Sequence, residues 1–133
     1  MVIFDISIHE EDPSNDHHTL FVHVDVTNEQ QVQDGIAQAV EKFGETIYGC
    51  INCAGVGDPT LVYDPNSGHA HPLQAFERIL SINVTGTFNV LRLVVQQMMK
   101  QKDAATDGSD QERGVIINTA SIAAYEGQIG LAG

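Results

Sequence analysis

The sequence predicts an α/β domain built on a parallel sheet with helices on its faces. Two observations lead there. Short apolar runs of strand length alternate with longer segments of helical periodicity, which argues for parallel strands joined by helical crossovers. The first run, MVIFDI, is continuously apolar until its acid, the pattern of a strand covered on both faces. The carboxyl ends of the runs mark where function is expected, because ligands of parallel sheets bind beyond those ends. Here they carry Asp5, Asp25 with Val26, Asn52 to Gly55, and Thr119 to Ser121.

Residues 1–6 form the first predicted strand, and a buried strand so early in a chain implies further sequence upstream. Residues 7–19 are acidic and polar, contain Pro13 and have no apolar period, so they read as an exposed connection. Residues 20–26 (LFVHVDV) are the second strand, with His23 inside it. Thr27 and Gln30 fit a capping box, after which Val32, Ile36, Val40 and Phe43 recur at helical spacing until Gly44 stops the helix. Residues 47–52 are the third strand, running into Asn52-Cys53-Ala54-Gly55. Residues 58–72 hold three of the four prolines and read as one long loop of the kind that binds ligands or closes over them.

A long helix is predicted over residues 73–102, first on Phe76, Ile79 and Leu80, then on Val84, Phe88, Leu91, Val95 and Met98. The apolar register shifts between Leu80 and Val84, and Asn83 and Gly86 lie at the shift, so a kink or break belongs there. Residues 103–113 are a polar turn, 114–121 (GVIINTAS) the fourth strand, and the remainder is small, glycine-rich and irregular. Four strands with two proper helices make an incomplete version of such a fold.

Composition removes several classes of function. Eighteen acidic residues against six Lys and Arg give a formal charge of −12, and none of those six cations precedes Lys42. Such a surface repels nucleic-acid backbones and anionic membranes, so partners should be neutral, cationic or held in a private pocket. No apolar run approaches the roughly 18 residues of a membrane span. Cys50 and Cys53 lie in an apolar stretch with no secretory signal before them, which suggests a reducing, intracellular setting. A C-x-x-C redox pair should open a helix, whereas Cys50 lies within a strand. A zinc site would need more ligands, and only His69 and His71 offer themselves; no metal is expected. The remaining histidines, among them His17 and His18, read as solvated loop residues.

Asn52-Cys53-Ala54-Gly55, Asn83 within SINVTGTFNV, and GVIINTAS ending on Ser121 occur in one order at characteristic spacings. Together they resemble the N-[N/C]-A-G turn, the central-helix asparagine and the catalytic serine of the short-chain dehydrogenase/reductase family, over nearly the whole chain. CINCAG, GTFNVLRLV and RGVIINTASIAAYEGQIG are similar in particular to the family's type 2 3-hydroxyacyl-CoA dehydrogenase branch, also described as 17β-hydroxysteroid dehydrogenases. The resemblance implies a Rossmann-like fold with helices on both faces, NAD as cofactor, and hydride transfer between NAD and a secondary alcohol, a 3-hydroxyacyl-CoA or a hydroxysteroid. It also implies a homo-oligomer, dimer or tetramer, for the complete protein and a mitochondrial location, although no targeting segment is visible.

Residue by residue, the resemblance gives Asp5 the hydroxyls of the adenosine ribose and the choice of NAD over NADP, because a carboxylate repels the extra phosphate. Asp25 and Val26 would flank the adenine. Cys53, Ala54 and Gly55 would let the backbone pass close under the riboses, with Gly55 permitting the turn conformation. Ser121 would orient the substrate carbonyl, Gln128 would contact substrate, and Asn83 would hold a relay water. Plainer readings stand beside these: a solvated strand end for Asp5, a helix N-terminal charge for Asp25, an ordinary strand-end serine for Ser121 and a kink residue for Asn83.

Two family elements have no match in these residues. The T-G-x-x-x-G-x-G phosphate turn is missing, and so is the Y-x-x-x-K pair, whose tyrosine would fall one position past Gly133; Tyr125 is too close to Ser121 and has Ile129 where the lysine should stand. The expectation is therefore a partial NAD-binding domain over residues 1–133, incomplete at both ends and a poor enzyme as it stands. The alternative is a non-catalytic truncated product that binds or dimerises through the helix over residues 84–102.

Overall fold

The computed structural model describes residues 1–7, 18–100 and 114–130. In chain order its elements are β1 (Val2–Asp5), β2 (Leu20–His23), α1 (Glu29–Phe43), β3 (Gly49–Asn52), β4 (Tyr63–Asp64), β5 (His69–Ala70), α2 (Leu73–Leu80), a π-helical turn (Ser81–Gly86), α3 (Thr87–Lys100), β6 (Val115–Asn118) and α4 (Ala123–Glu126). The predicted α/β architecture is present: β1 runs parallel to β2, and β3 runs parallel to β6. The four strands form two parallel pairs rather than one continuous ladder.

The alternation of a pleated strand decides what packs where. Val2 and Phe4 of β1, Leu20 and Val22 of β2, Val24 and Val26 beyond it, and Cys50 of β3 all turn to one side. There they meet Val32, Ile36 and Val40 of α1 and Val90, Leu93, Val94 and Met98 of α3. Both long helices thus share one core. Val24, Val32 and Ile79 are sealed from solvent, each burial contributing about 1.5–3 kcal/mol relative to exposure. The other side of β3 and β6 is open, with Ile51, Val115 and Ile117 all exposed. β1 is likewise only partly buried, so the expectation of cover on both faces does not hold for this strand among the described residues.

Helix α1 begins one residue later than its predicted capping box. Thr27 donates both its amide and its hydroxyl to Asp25 Oδ1, at 2.8 and 2.7 Å, which places it in the turn before the helix. Asn28 is the cap: its side chain accepts from the Gln31 amide at 3.1 Å, while Gln31 Oε1 reaches back to accept from the Asp25 amide at 2.7 Å. Gly44 ends the helix as expected, with φ of 92°.

The predicted long loop contains a small hairpin, β4 against β5. Asp64 builds its turn, accepting from the Asn66 amide at 2.9 Å through its side chain and from Gly68 at 2.8 Å through its carbonyl. Gly68 takes φ of 72°, which its missing Cβ permits. The irregular tail also holds a turn of helix, α4. The polar turn at residues 103–113 and most of the predicted connection at 7–19 lie outside the described residues. The continuous helical stretch Leu73–Lys100 is, by length and composition, apolar enough to span a membrane, although no uninterrupted apolar run in it is that long. Its α3 portion is a core helix, because Val90, Leu93, Val94 and Met98 are buried against the strands.

Candidate functional site

The π-helical turn organises the site. It falls where the apolar register shifts, and the extra residue of such a turn is what lets two helical stripes of different phase continue as one rod. Inside it the Asn83 side chain makes a two-pronged contact with the backbone of one residue: Oδ1 accepts from the Val56 amide at 2.8 Å and Nδ2 donates to the Val56 carbonyl at 2.8 Å. The turn after β3 is pinned by this pair. Gly55 is small here because a Cβ would stand 3.3 Å from Asn83 Oδ1. Its φ is not positive, so the role expected of Gly55 in permitting an unusual backbone is replaced by one of close approach.

One helical turn further on, the same rod holds the end of β2. Gly86 is buried, and a Cβ on it would come within 2.6 Å of Val26 Cγ2. Asn89, also buried, donates from Nδ2 to the Val26 carbonyl at 2.9 Å. Asn83 and Asn89 are separated by roughly 9 Å at about 1.5 Å per residue. The carboxyl ends of the two parallel pairs are therefore brought to the same side of the molecule by one short stretch of helix. In parallel α/β sheets ligands bind beyond such strand ends.

On the β1–β2 side, Asp5 is exposed at the end of its strand, in register with His23, and accepts from the Ser7 amide at 2.7 Å. Asp25 is half-buried. The hydroxyl of Thr27 first, and its amide second, hold the Asp25 carboxyl below its ordinary value of 3.8. Oδ1 of Asp25 is thus given to Thr27 in the turn before α1.

On the β3–β6 side, Cys53, Ala54 and Gly55 are all exposed after the strand end. Cys53 Sγ lies 3.2 Å from Thr119 Oγ1, and Asn52 Nδ2 donates to Asn118 Oδ1 at 2.9 Å, so the two strand ends are stitched by side chains. Cys50 points into the core and burial pushes its thiol up, in keeping with a packing role. The ladder carries one bond past β6, Thr119 donating to the Asn52 carbonyl at 2.9 Å. Ser121 is exposed just beyond, and its Oγ accepts from the Ala123 amide at 3.1 Å, which leaves the hydroxyl hydrogen to donate. Gln128 lies exposed after α4.

Sequence reading missed Asn89 and Val56. Asn89 lies on the buried face with Val90, Leu93 and Val94, whereas the stripe read from the sequence began on Val84 and Phe88, which are exposed, so no irregularity marked it. Both ring nitrogens of His71 are buried without a hydrogen-bond partner. Among the described residues no group of three or more His, Cys, Asp or Glu is placed to hold a metal. The exposed carboxylate of Asp5, the apolar edge of Val26 and the small residues at 53–55 suit a ribose and a flat ring lying across the strand ends.

Comparison with known proteins bears on what that ligand is. The family profile described as short chain dehydrogenase matches residues 7–133. The 3-hydroxyacyl-CoA dehydrogenase type-2 of Homo sapiens is 45% identical over 113 residues, which cover 85% of this chain and 41% of that protein. Its counterpart in Drosophila melanogaster is 43% identical over 113 residues, 85% of this chain and 42% of the relative. Among solved structures, 3-hydroxyacyl-CoA dehydrogenase type-2 from Mycobacterium avium superposes with a TM-score of 0.73 at 29% identity, covering 85% of this chain and 42% of the other. NAD+-bound xylitol dehydrogenase superposes with a TM-score of 0.68 at 35% identity, covering 86% and 38%. The chain thus spans about two fifths of the length of these relatives.

Proposed function

The chain belongs to the short chain dehydrogenase family, and from that premise we propose that it forms the adenosine-binding edge and part of the reacting end of an NAD-dependent dehydrogenase. The substrate is a secondary alcohol of the 3-hydroxyacyl-CoA or hydroxysteroid class. The observation that carries the reading is the single helical bracket, Asn83 to Asn89, holding both strand ends beside an exposed Asp5.

Each residue has a separable task. Asp5 accepts hydrogen bonds from the ribose hydroxyls and disfavours a phosphate in their place. Val26 packs on the adenine, Asp25 keeps its edge polar, and Cys53, Ala54 and Gly55 allow close passage of the riboses. When bound, the nicotinamide supplies the hydride acceptor. Ser121 donates its hydroxyl hydrogen to the substrate oxygen and so fixes the orientation of the reacting carbon. Gln128 contacts the substrate nearby. The Asn83 amide is committed to Val56, so any part it plays in a proton relay passes through its backbone carbonyl.

The test is NADH formation by the intact protein from a 3-hydroxyacyl-CoA and from a hydroxysteroid. Ser121→Ala should lower kcat by about a hundredfold, the usual cost of losing one such donor. No NADH from either class contradicts the reading.

One observation favours self-association beside this activity. Leu80, Val84, Phe88 and Met99 are exposed along the outer stripe of α2, the π-helical turn and α3, at helical spacing. We propose that a second copy of the chain covers this stripe; Phe88→Glu should then shift the intact protein to monomer in sedimentation, and an unchanged oligomer refutes it.

A further inference from the structure

Asn89 is the one buried polar residue of the described core, and its surroundings form a closed circuit. Arg92 donates to Asn89 Oδ1 at 2.8 Å and pairs with Glu29 in the first turn of α1 at 2.9 Å. Because Oδ1 is taken by a guanidinium, the amide can present only Nδ2–H to the Val26 carbonyl, which it meets at 2.9 Å. The segment from Val26 to Glu29 is therefore gripped at both ends by α3, from Asn89 and from Arg92. A buried amide in an apolar core is costly unless satisfied, and here it is satisfied on both of its atoms.

We propose that Asn89, oriented by Arg92, is a positioning residue for adenine recognition: it fixes the Val26 carbonyl and so sets how the Asp25–Val26 edge meets the ring. The inference rests on the proposed cofactor site and adds a residue that touches neither cofactor nor substrate. Its chemistry is specific about the donor. Asn89→Asp keeps the volume and the pairing with Arg92 but turns a carboxylate oxygen onto the Val26 carbonyl. Asn89→Leu removes the polar group, and Arg92→Met removes the orienting cation while keeping the stem.

The experiment is titration calorimetry of the intact protein with NAD and, separately, with reduced nicotinamide mononucleotide, which lacks the adenosine. Asn89→Asp and Asn89→Leu should weaken NAD by about tenfold, the scale of one lost buried hydrogen bond, and leave the mononucleotide within about twofold. Arg92→Met should weaken NAD in the same direction and, combined with Asn89→Leu, add little to it, because the two act through one circuit. Equal loss for both ligands, or NAD affinity unchanged in the Asn89 variants, overturns the inference while leaving the cofactor site in place. Where Asn89→Leu fails to fold, the Asn89→Asp and Arg92→Met comparisons decide. No NAD binding by the unaltered protein overturns both the site and the inference.

Discussion

Gly86→Ala sets two effects of opposite sign against each other. In a helix interior, alanine is favoured over glycine by about 1 kcal/mol, so propensity alone makes the substitution stabilising. The packing opposes it. A Cβ at position 86 would lie 2.6 Å from Val26 Cγ2, 3.3 Å from Val26 Cβ and 3.5 Å from the Val26 carbonyl carbon. Rotating the valine moves the first atom but not the other two, which move only with the backbone. That backbone is held by Asn89 at 2.9 Å. Overpacking of this kind costs about 1–3 kcal/mol, so the net should be a destabilisation of about 1 kcal/mol. With a urea slope of about 2 kcal/mol per molar, the unfolding midpoint should fall by roughly 0.5 M. Adding Val26→Ala, which removes Cγ2, should bring the two substitutions below additivity. A midpoint that rises on Gly86→Ala, as propensity alone requires, refutes the close approach of helix and strand end.

Asn83→Asp exchanges the donor facing the Val56 carbonyl for a second acceptor, and should cost about 1–3 kcal/mol on thermal or urea unfolding; an unchanged transition contradicts the two-pronged contact. Thr27→Val removes the hydroxyl that most lowers the Asp25 pKa. A carboxyl depressed by folding stabilises above its unfolded value and loses that contribution as pH falls through its folded one, so the stability gap between the two proteins should be full above pH 3.8 and close below it. A gap constant across that range would detach Asp25 from Thr27. Thiol labelling at neutral pH should modify Cys53, which is exposed, well before Cys50, whose thiol is half-buried and pushed up by that burial. Equal rates would place Cys50 at the surface.

The parts of this architecture that depend on local pattern were legible in the chain. The strands, the Gly44 stop and the interruption at Asn83 and Gly86 each leave a mark within a few residues, although β2 and β6 each end three residues before the predicted runs do. The form of the interruption was not legible: a shift of apolar register says that a helix changes phase, whereas a π-helical turn rather than a break follows from Asn83 finding Val56 in a distant loop. The cap at Asn28 was misplaced by one residue because Thr27 is an equally good cap by type and only Asp25 decides between them. The hairpin escaped because two-residue strands have no period to read, although Asp64-Pro65-Asn66-Ser67-Gly68 carries the turn chemistry. Of the candidate site, Asp5, Cys53 and Ser121 stand at predicted strand ends, while the roles given to them and to Asn83 come from the family resemblance. Asn89 could not be named, since its partners Val26, Arg92 and Glu29 come together only in three dimensions.

The proposed function has the strand ends held by Asn83 and Asn89 receive the adenosine half of NAD. An NMR titration of the isotopically labelled intact protein with NAD, following backbone amides, tests it most directly. Saturable shifts should concentrate at Asp5, at Asp25 and Val26, and from Cys53 to Gly55, with weaker shifts for NADP and loss of that discrimination in Asp5→Ser. Saturable NAD shifts that leave those residues unmoved, or a preference for NAD untouched by Asp5→Ser, would contradict it.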